Sequence, residues 1–232
     1  MPFTWLTQKQ NAADDAPVAA GGDLSVPSLL AAYRQGIFPW FNEGASAPLW
    51  WSPDPRLVLF PEEFHCARSL AKTLRRGAYE IRMDGAFAEV ISACAGVARR
   101  GQAGTWITAD MKDAYIALHL AGYAHSVETW REGELAGGLY GVAIGRVFYG
   151  ESMFARQTDA SKVALARLVA FLREKNFGLI DCQMKTRHLA SLGAREIPRA
   201  FFYRLLAQWT AEESALPPGS WERAASFGRE AG

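Results

Sequence analysis

Between Phe148 and Gln183 the chain spells out a strand, a polar turn, a helix and a second strand, and this order limits what the rest can fold into. Asp159 is placed to cap the helix, and Val163, Leu165, Leu168, Val169 and Leu172 recur at helical spacing. Lys175 in the last turn and Gly178 just beyond mark its end. The second strand reads Leu179-Ile180-Asp181-Cys182-Gln183. Strand alternation predicts that Asp181 and Gln183 share one face and that Ile180 and Cys182 share the other. A carboxylate and an amide on one strand face are costly to bury without partners. With Glu151 on the preceding strand, they mark a candidate site.

Ahead of this unit, residues 124–130, 135–144 and 147–154 are apolar segments separated by Glu132-Gly133 and Gly145-Arg146. Turns this short predict antiparallel hairpins. Helices are expected over residues 64–74, 87–97 and 111–120, with a short turn over 188–192 and a last helix opened by Pro198. The order predicts an α+β chain. The second half, with helices flanking a mainly antiparallel sheet, fits an acetyltransferase-like (GNAT-like) architecture. The expected divisions are a poorly ordered leader over 1–20, the N-terminal α+β domain over 21–62, the catalytic domain over 63–210 and a loose tail over 211–232. Within 36–41 and 49–56 the prolines are expected to prevent regular structure, leaving large aromatics on irregular chain. Most of those aromatics belong to a core between layers, and one or two suit a pocket for a flat or apolar ligand.

Composition excludes several classes. Of 232 residues 50% are hydrophobic and 21% charged, an ordinary globular balance. No apolar run is long enough to span a bilayer, and Asp14 and Asp15 fall where a signal peptide needs its apolar core, so a cytoplasmic protein is expected. Cys66, Cys94 and Cys182 form neither a disulfide framework nor a zinc pattern, and His119, His125 and His188 lack ligand spacing; no metal is expected. A Cys182–His188 nucleophilic pair is disfavoured by the mid-strand setting of the thiol. The net charge of +1 neither demands nor forbids a nucleic-acid partner. Arg68, Lys72, Arg75 and Arg76, followed by Arg82, Arg99 and Arg100, offer a phosphate-contacting surface, since acidic neighbours are few between Phe64 and Tyr79. A coenzyme-A site would need a glycine-rich turn opening a helix, whereas Ala155-Arg156-Gln157-Thr158-Asp159 holds no glycine.

Several motifs together carry a resemblance. They are Gly36-Ile37-Phe38-Pro39-Trp40, Trp50-Trp51-Ser52-Pro53-Asp54-Pro55-Arg56, Gly104-Thr105-Trp106-Ile107-Thr108 and His125-Ser126-Val127-Glu128. Gly137-Gly138-Leu139-Tyr140-Gly141, Gly150-Glu151-Ser152-Met153-Phe154, Asp181-Cys182-Gln183 and His188-Leu189-Ala190-Ser191-Leu192-Gly193-Ala194 follow in order. The set resembles the leucyl/phenylalanyl-tRNA–protein transferases. The resemblance implies transfer of leucine or phenylalanine, less often methionine, from aminoacyl-tRNA to proteins or peptides with N-terminal Arg or Lys. It implies a small N-terminal domain packed on the GNAT-like C-terminal one, and products marked for degradation; no cofactor and a monomer are expected. It places Asp181, Gln183 and Glu151 at the chemistry and Leu139, Met153, Leu168 and Ile180 around the aminoacyl side chain. Leu168 departs from the aromatic that the family pattern leads one to expect. Trp40 and Trp106 would meet the terminal adenosine, and the basic residues from Arg68 to Arg100 the tRNA phosphates. Two other classes stay open at this point: a coenzyme-A-dependent N-acyltransferase and a non-catalytic aminoacyl-tRNA binding module.

Overall fold

The computed structural model describes residues 3–7, 16–42, 44–97, 106–211 and 216–222. Its first part comprises β1 (Thr4–Trp5), β2 (Ala19–Ala20), α1 (Val26–Arg34), β3 (Phe38–Pro39), β4 (Leu49–Trp51) and β5 (Arg56–Leu59). After a short 3-10 turn come α2 (Arg68–Arg75), β6 (Glu80–Met83), α3 (Phe87–Ala95) and α4 (Ala109–Leu120). The meander β7 (Ala124–Arg131), β8 (Glu134–Ile144) and β9 (Val147–Ala155) leads into α5 (Ala160–Glu174) and β10 (Leu179–Gln183). The remainder is α6 (Arg187–Ser191), β11 (Arg195–Ile197) and α7 (Arg199–Trp209).

The strands form two sheets, in the orders β1-β2-β4-β3 and β11-β5-β10-β9-β8-β7-β6. Hairpins make β7, β8 and β9 antiparallel, β6 pairs antiparallel with β7 after α3 and α4 intervene, and β5 runs antiparallel to both β10 and β11. The β9–β10 pair is parallel, because α5 carries the chain back across the sheet before β10 begins. This is the expected α+β arrangement. One face of the large sheet shares its core with the small sheet and with α1, α3, α4 and α7, through Trp50, Tyr33, Ile91, Tyr115, Tyr149 and Phe202. The other face is covered by α5, with Leu165, Leu168 and Val169, and by Leu70 of α2. Gly137 brings α5 close: a Cβ there would lie 2.6 Å from the Ala160 Cβ. No helix among the described residues is long and apolar enough to cross a membrane.

Several expectations are corrected. Residues 4–5 and 19–20, assigned to a disordered leader, form β1 and β2, and Phe3 and Val18 are buried. Val18 donates its N–H to Trp50 O and so continues the small sheet. Pro39 does lie in a strand, but β3 is an edge, where a missing N–H leaves no ladder bond unmade. The boundary expected after residue 62 is crossed earlier, since β5 belongs to the large sheet. Edge strands β6 and β11 were not anticipated; each buries one residue, too little apolar pattern to betray a strand. Part of the tail is also held. Trp221 is 2% exposed, stacks on His125 at 3.8 Å between centroids and donates its backbone N–H to Asp84 Oδ2.

Candidate active site

Two interruptions in strand pairing create the site. β9 pairs in register with β10 only from Leu179↔Val147 to Asp181↔Tyr149. Beyond Tyr149 the ladder between β8 and β9 skips Glu151, because Gly141 faces Gly150 while Tyr140 faces Ser152. In β10 the ladder to β5 likewise skips Cys182, and Gln183 takes a left-handed φ of 55°. Such bulges end pairing and redirect side chains. Here they leave a cavity of about 410 Å³ between the separating strands.

The cavity has an apolar end and a polar mouth. Leu139, Met153, Leu168 and Ile180 all line it, joined by Phe148 and Leu165, which the sequence did not single out for it. Trp40 and Trp106 line the mouth together with Glu151 and Gln183. Trp40 meets Trp51 edge-on, and the Trp51 indole N–H donates to Trp40 O at 2.6 Å. Thr186 and His188 lie at the rim; Thr186 also caps α6 by accepting from Leu189 N.

Asp181 is not in the cavity wall. Its carboxylate is 0% exposed and accepts two hydrogen bonds from Arg56, at 2.8 Å from Nε and 2.6 Å from Nη2. Arg56 is itself 1% exposed and lies between the rings of Phe38 and Phe202. The expected common face for Asp181 and Gln183 is therefore wrong: the bulge at Cys182 turns Gln183 into the cavity beside Ile180 and leaves Asp181 behind the strand. The two remain coupled, because Asp181 Oδ1 accepts the Gln183 backbone N–H at 3.0 Å. That bond fixes the backbone of the left-handed residue.

Glu151 is the polar centre of the mouth. Its Oε1 accepts from Tyr33 Oη at 2.7 Å and from Gln183 Nε2 at 3.4 Å, and its Oε2 accepts from Tyr115 Oη at 2.9 Å. The two phenol oxygens also touch each other. Burial pushes the Glu151 carboxyl up to about 7, against the hydrogen bonds from Tyr33 and Tyr115, which favour its charged form. Burial and the nearby Glu151 charge hold both phenols well above their usual range, so they act as donors. Burial pushes the Cys182 thiol up as well, which removes it as a nucleophile at neutral pH. The His188 imidazole is held below its usual range by burial and by Lys162.

Sequence reasoning missed Tyr33, Tyr115 and Arg56. Tyr33 and Tyr115 lie on the buried faces of α1 and α4, where a phenol needs a partner for its hydroxyl; that need was the available signal. Arg68, Lys72, Arg75 and Arg76 are exposed on or just beyond α2, on the α5 side of the large sheet. Arg82 instead pairs with Glu80 and lies over Trp130. Arg99 and Arg100 lie outside the described residues. Among the described residues no group of three His, Cys, Asp or Glu could hold a metal ion.

Similarity to known proteins follows the same lines. Residues 58–207 match the family described as leucyl/phenylalanyl-tRNA protein transferase, and residues 22–54 match the N-terminal domain of that family. A leucyl/phenylalanyl-tRNA–protein transferase of Nitrosomonas europaea is 64% identical over 194 residues, 84% of this chain and 81% of its own length. One from Aromatoleum aromaticum is 56% identical over 217 residues, 93% of this chain and 90% of its own. Among solved structures, L-PGS from Bacillus licheniformis aligns at 12% identity and a TM-score of 0.39, covering 56% of this chain and 46% of that one. A GCN5-related N-acetyltransferase from Kribbella flavida aligns at 14% identity and 0.34, covering 61% and 54%. Scores this low carry no argument. The sequence matches do: this chain belongs to the leucyl/phenylalanyl-tRNA protein transferase family.

Proposed function

We propose that this protein transfers a leucyl or phenylalanyl group, less often methionyl, from aminoacyl-tRNA to the α-amine of proteins that begin with Arg or Lys. The products would be marked for degradation, and the enzyme would work as a cytoplasmic monomer. The observation that carries the reading is a single cavity joining an apolar end to a mouth with two tryptophans, a carboxyl and an amide. An aminoacyl-adenosine has the same two-part character. Its side chain would enter between Leu139, Met153, Leu168 and Ile180, and its adenine would lie against Trp40 and Trp106. Flexible Met153 suits a pocket taking more than one apolar side chain, whereas a β-branched one would clash near Cβ.

The reaction is ester aminolysis, and the ester supplies the driving force without ATP. Gln183 contacts the attacking amine, held by the bond from its backbone N–H to Asp181. Asp181 thus acts through Gln183 rather than on the substrate. Glu151 either holds the aminoacyl ammonium or relays a proton. Much of the rate comes from seating amine and ester together. Arg68, Lys72, Arg75 and Arg76 would meet acceptor-stem phosphates without reading bases.

The test pairs leucyl-tRNA with a peptide beginning in arginine. The expected product is a leucyl-arginyl peptide, absent when the peptide is N-acetylated. Loss of leucine to water alone, with no peptide product, would refute the assignment.

A further inference from the structure

Tyr33 from α1, Tyr115 from α4 and Glu151 from β9 bring three acidic groups into mutual contact, with Glu151 lining the cavity and the two phenols buried outside its wall. The arrangement has a proton count. There are three oxygen–oxygen contacts but only two phenolic protons. When Glu151 is ionised, both protons point at the carboxylate and the phenol–phenol contact holds none. When Glu151 carries a proton, each contact can hold one: Glu151 Oε2 to Tyr115, Tyr115 to Tyr33, and Tyr33 to Glu151 Oε1. Oε1 can still accept from Gln183 in that state. The cluster therefore has a place ready for one added proton, and two donors that support the anion before it arrives.

We propose that Glu151, Tyr33 and Tyr115 form one proton-holding unit, in which Glu151 takes the proton lost by the attacking ammonium and the tyrosines are positioning residues. The proposal rests on the aminolysis reading and decides between the two roles left to Glu151. The proton balance is complete. The α-ammonium brings three protons; one passes to the Glu151 carboxylate as the nitrogen becomes nucleophilic. A C–N bond forms at the ester carbonyl, and the C–O bond to the ribose breaks. The second proton goes from the attacking nitrogen to the departing ribose oxygen, and the third stays on the new amide. Glu151 returns its proton to water before the next turn.

Groups acting on the unit come from every side. Tyr140 of β8 faces Tyr115, and Asp181 and Arg56 act on Glu151 with opposite sign. Burial pushes the Glu151 carboxyl up and the hydrogen bonds from the two phenols act against it, leaving it at about 7. A base poised near the working pH is the efficient one.

The test is a carbon-13 NMR titration of glutamate-labelled protein, with Glu151→Gln identifying the Glu151 carboxyl signal. It needs no RNA, so its result does not depend on the reaction assigned. In the parent protein the signal should titrate near 7. In Tyr33→Phe and in Tyr115→Phe it should move up by about one unit, because a bond to an ionised acceptor is worth roughly twice a neutral one. Single-turnover leucyl transfer to one arginyl peptide should show a rising limb that moves with the NMR midpoint. Each variant should be about fivefold slower at neutral pH, recovering as the pH rises. The peptide amine titrates identically in every protein and cancels from the comparison. A Glu151 signal in the ordinary carboxyl range, a midpoint indifferent to both Phe variants, or a rate limb that stays behind when the midpoint moves would each overturn the proposal.

Discussion

At the scale of single residues, Asp181 shows how far a side chain can be read and where reading stops. Its identity and position were legible as a costly carboxylate in an apolar strand, and so was its need for a partner. Its partner was not, because Arg56 is 125 positions away and the β5–β10 pairing that joins them leaves no local pattern. Its orientation was misread for a different reason. Alternation holds only while the ladder is unbroken, and the bulge at Cys182 breaks it. Asp181→Asn should therefore destabilise the protein by about 3–5 kcal/mol, by leaving Arg56 charged, buried and half-paired. Equilibrium urea unfolding measures this; a change below about 1 kcal/mol would mean the bridge is not closed in solution. Any loss of transfer in that variant must be judged after correcting for the folded fraction.

At the scale of elements, the meander β7–β9 and the helix α5 were legible because each combines a clean period with glycine-bearing turns. Period alone did not mark the cavity's apolar side chains; Leu139, Met153, Leu168 and Ile180 came from the family resemblance, and all four line the cavity. The tail was misread because its Pro- and Ser-rich composition hides one anchoring side chain. Trp221 packs against Phe148, Phe171, Phe177 and His125, and its backbone N–H meets Asp84. Residues 216–222 thus act as a strap from α4 and β7 to the core beneath β9 and α5. Trp221→Ala should cost about 3–5 kcal/mol in urea unfolding, by opening a void against Phe148, Phe171 and Phe177. A variant as stable as its parent would show the strap to be detached in solution.

At the scale of the whole molecule, the small sheet and the large one are organised around one opening. The small sheet supplies Phe38 and Pro39 of β3, with Trp40 just beyond; the large sheet supplies the separating strands; α5 supplies the floor. The bridge from Arg56 on β5 to Asp181 on β10 stiffens the strand that ends at that opening. The exposed cations of α2 lie on the α5 side and set where a polyanion could approach. Arg75→Glu with Arg76→Glu should weaken tRNA binding and reduce the steepness of its salt dependence by about one unit for each phosphate no longer neutralised. A salt slope equal to that of the parent would move the tRNA to another face.

The cavity's assignment is the claim on which the rest stands. The most direct measurement is binding of a non-hydrolysable 3′-leucylamino-adenosine to the parent protein and to Met153→Trp, followed by calorimetry. The parent should bind it, and filling the apolar end with an indole should weaken binding at least about tenfold by overpacking the site. Equal affinity in the two proteins would place the aminoacyl group elsewhere and contradict the account.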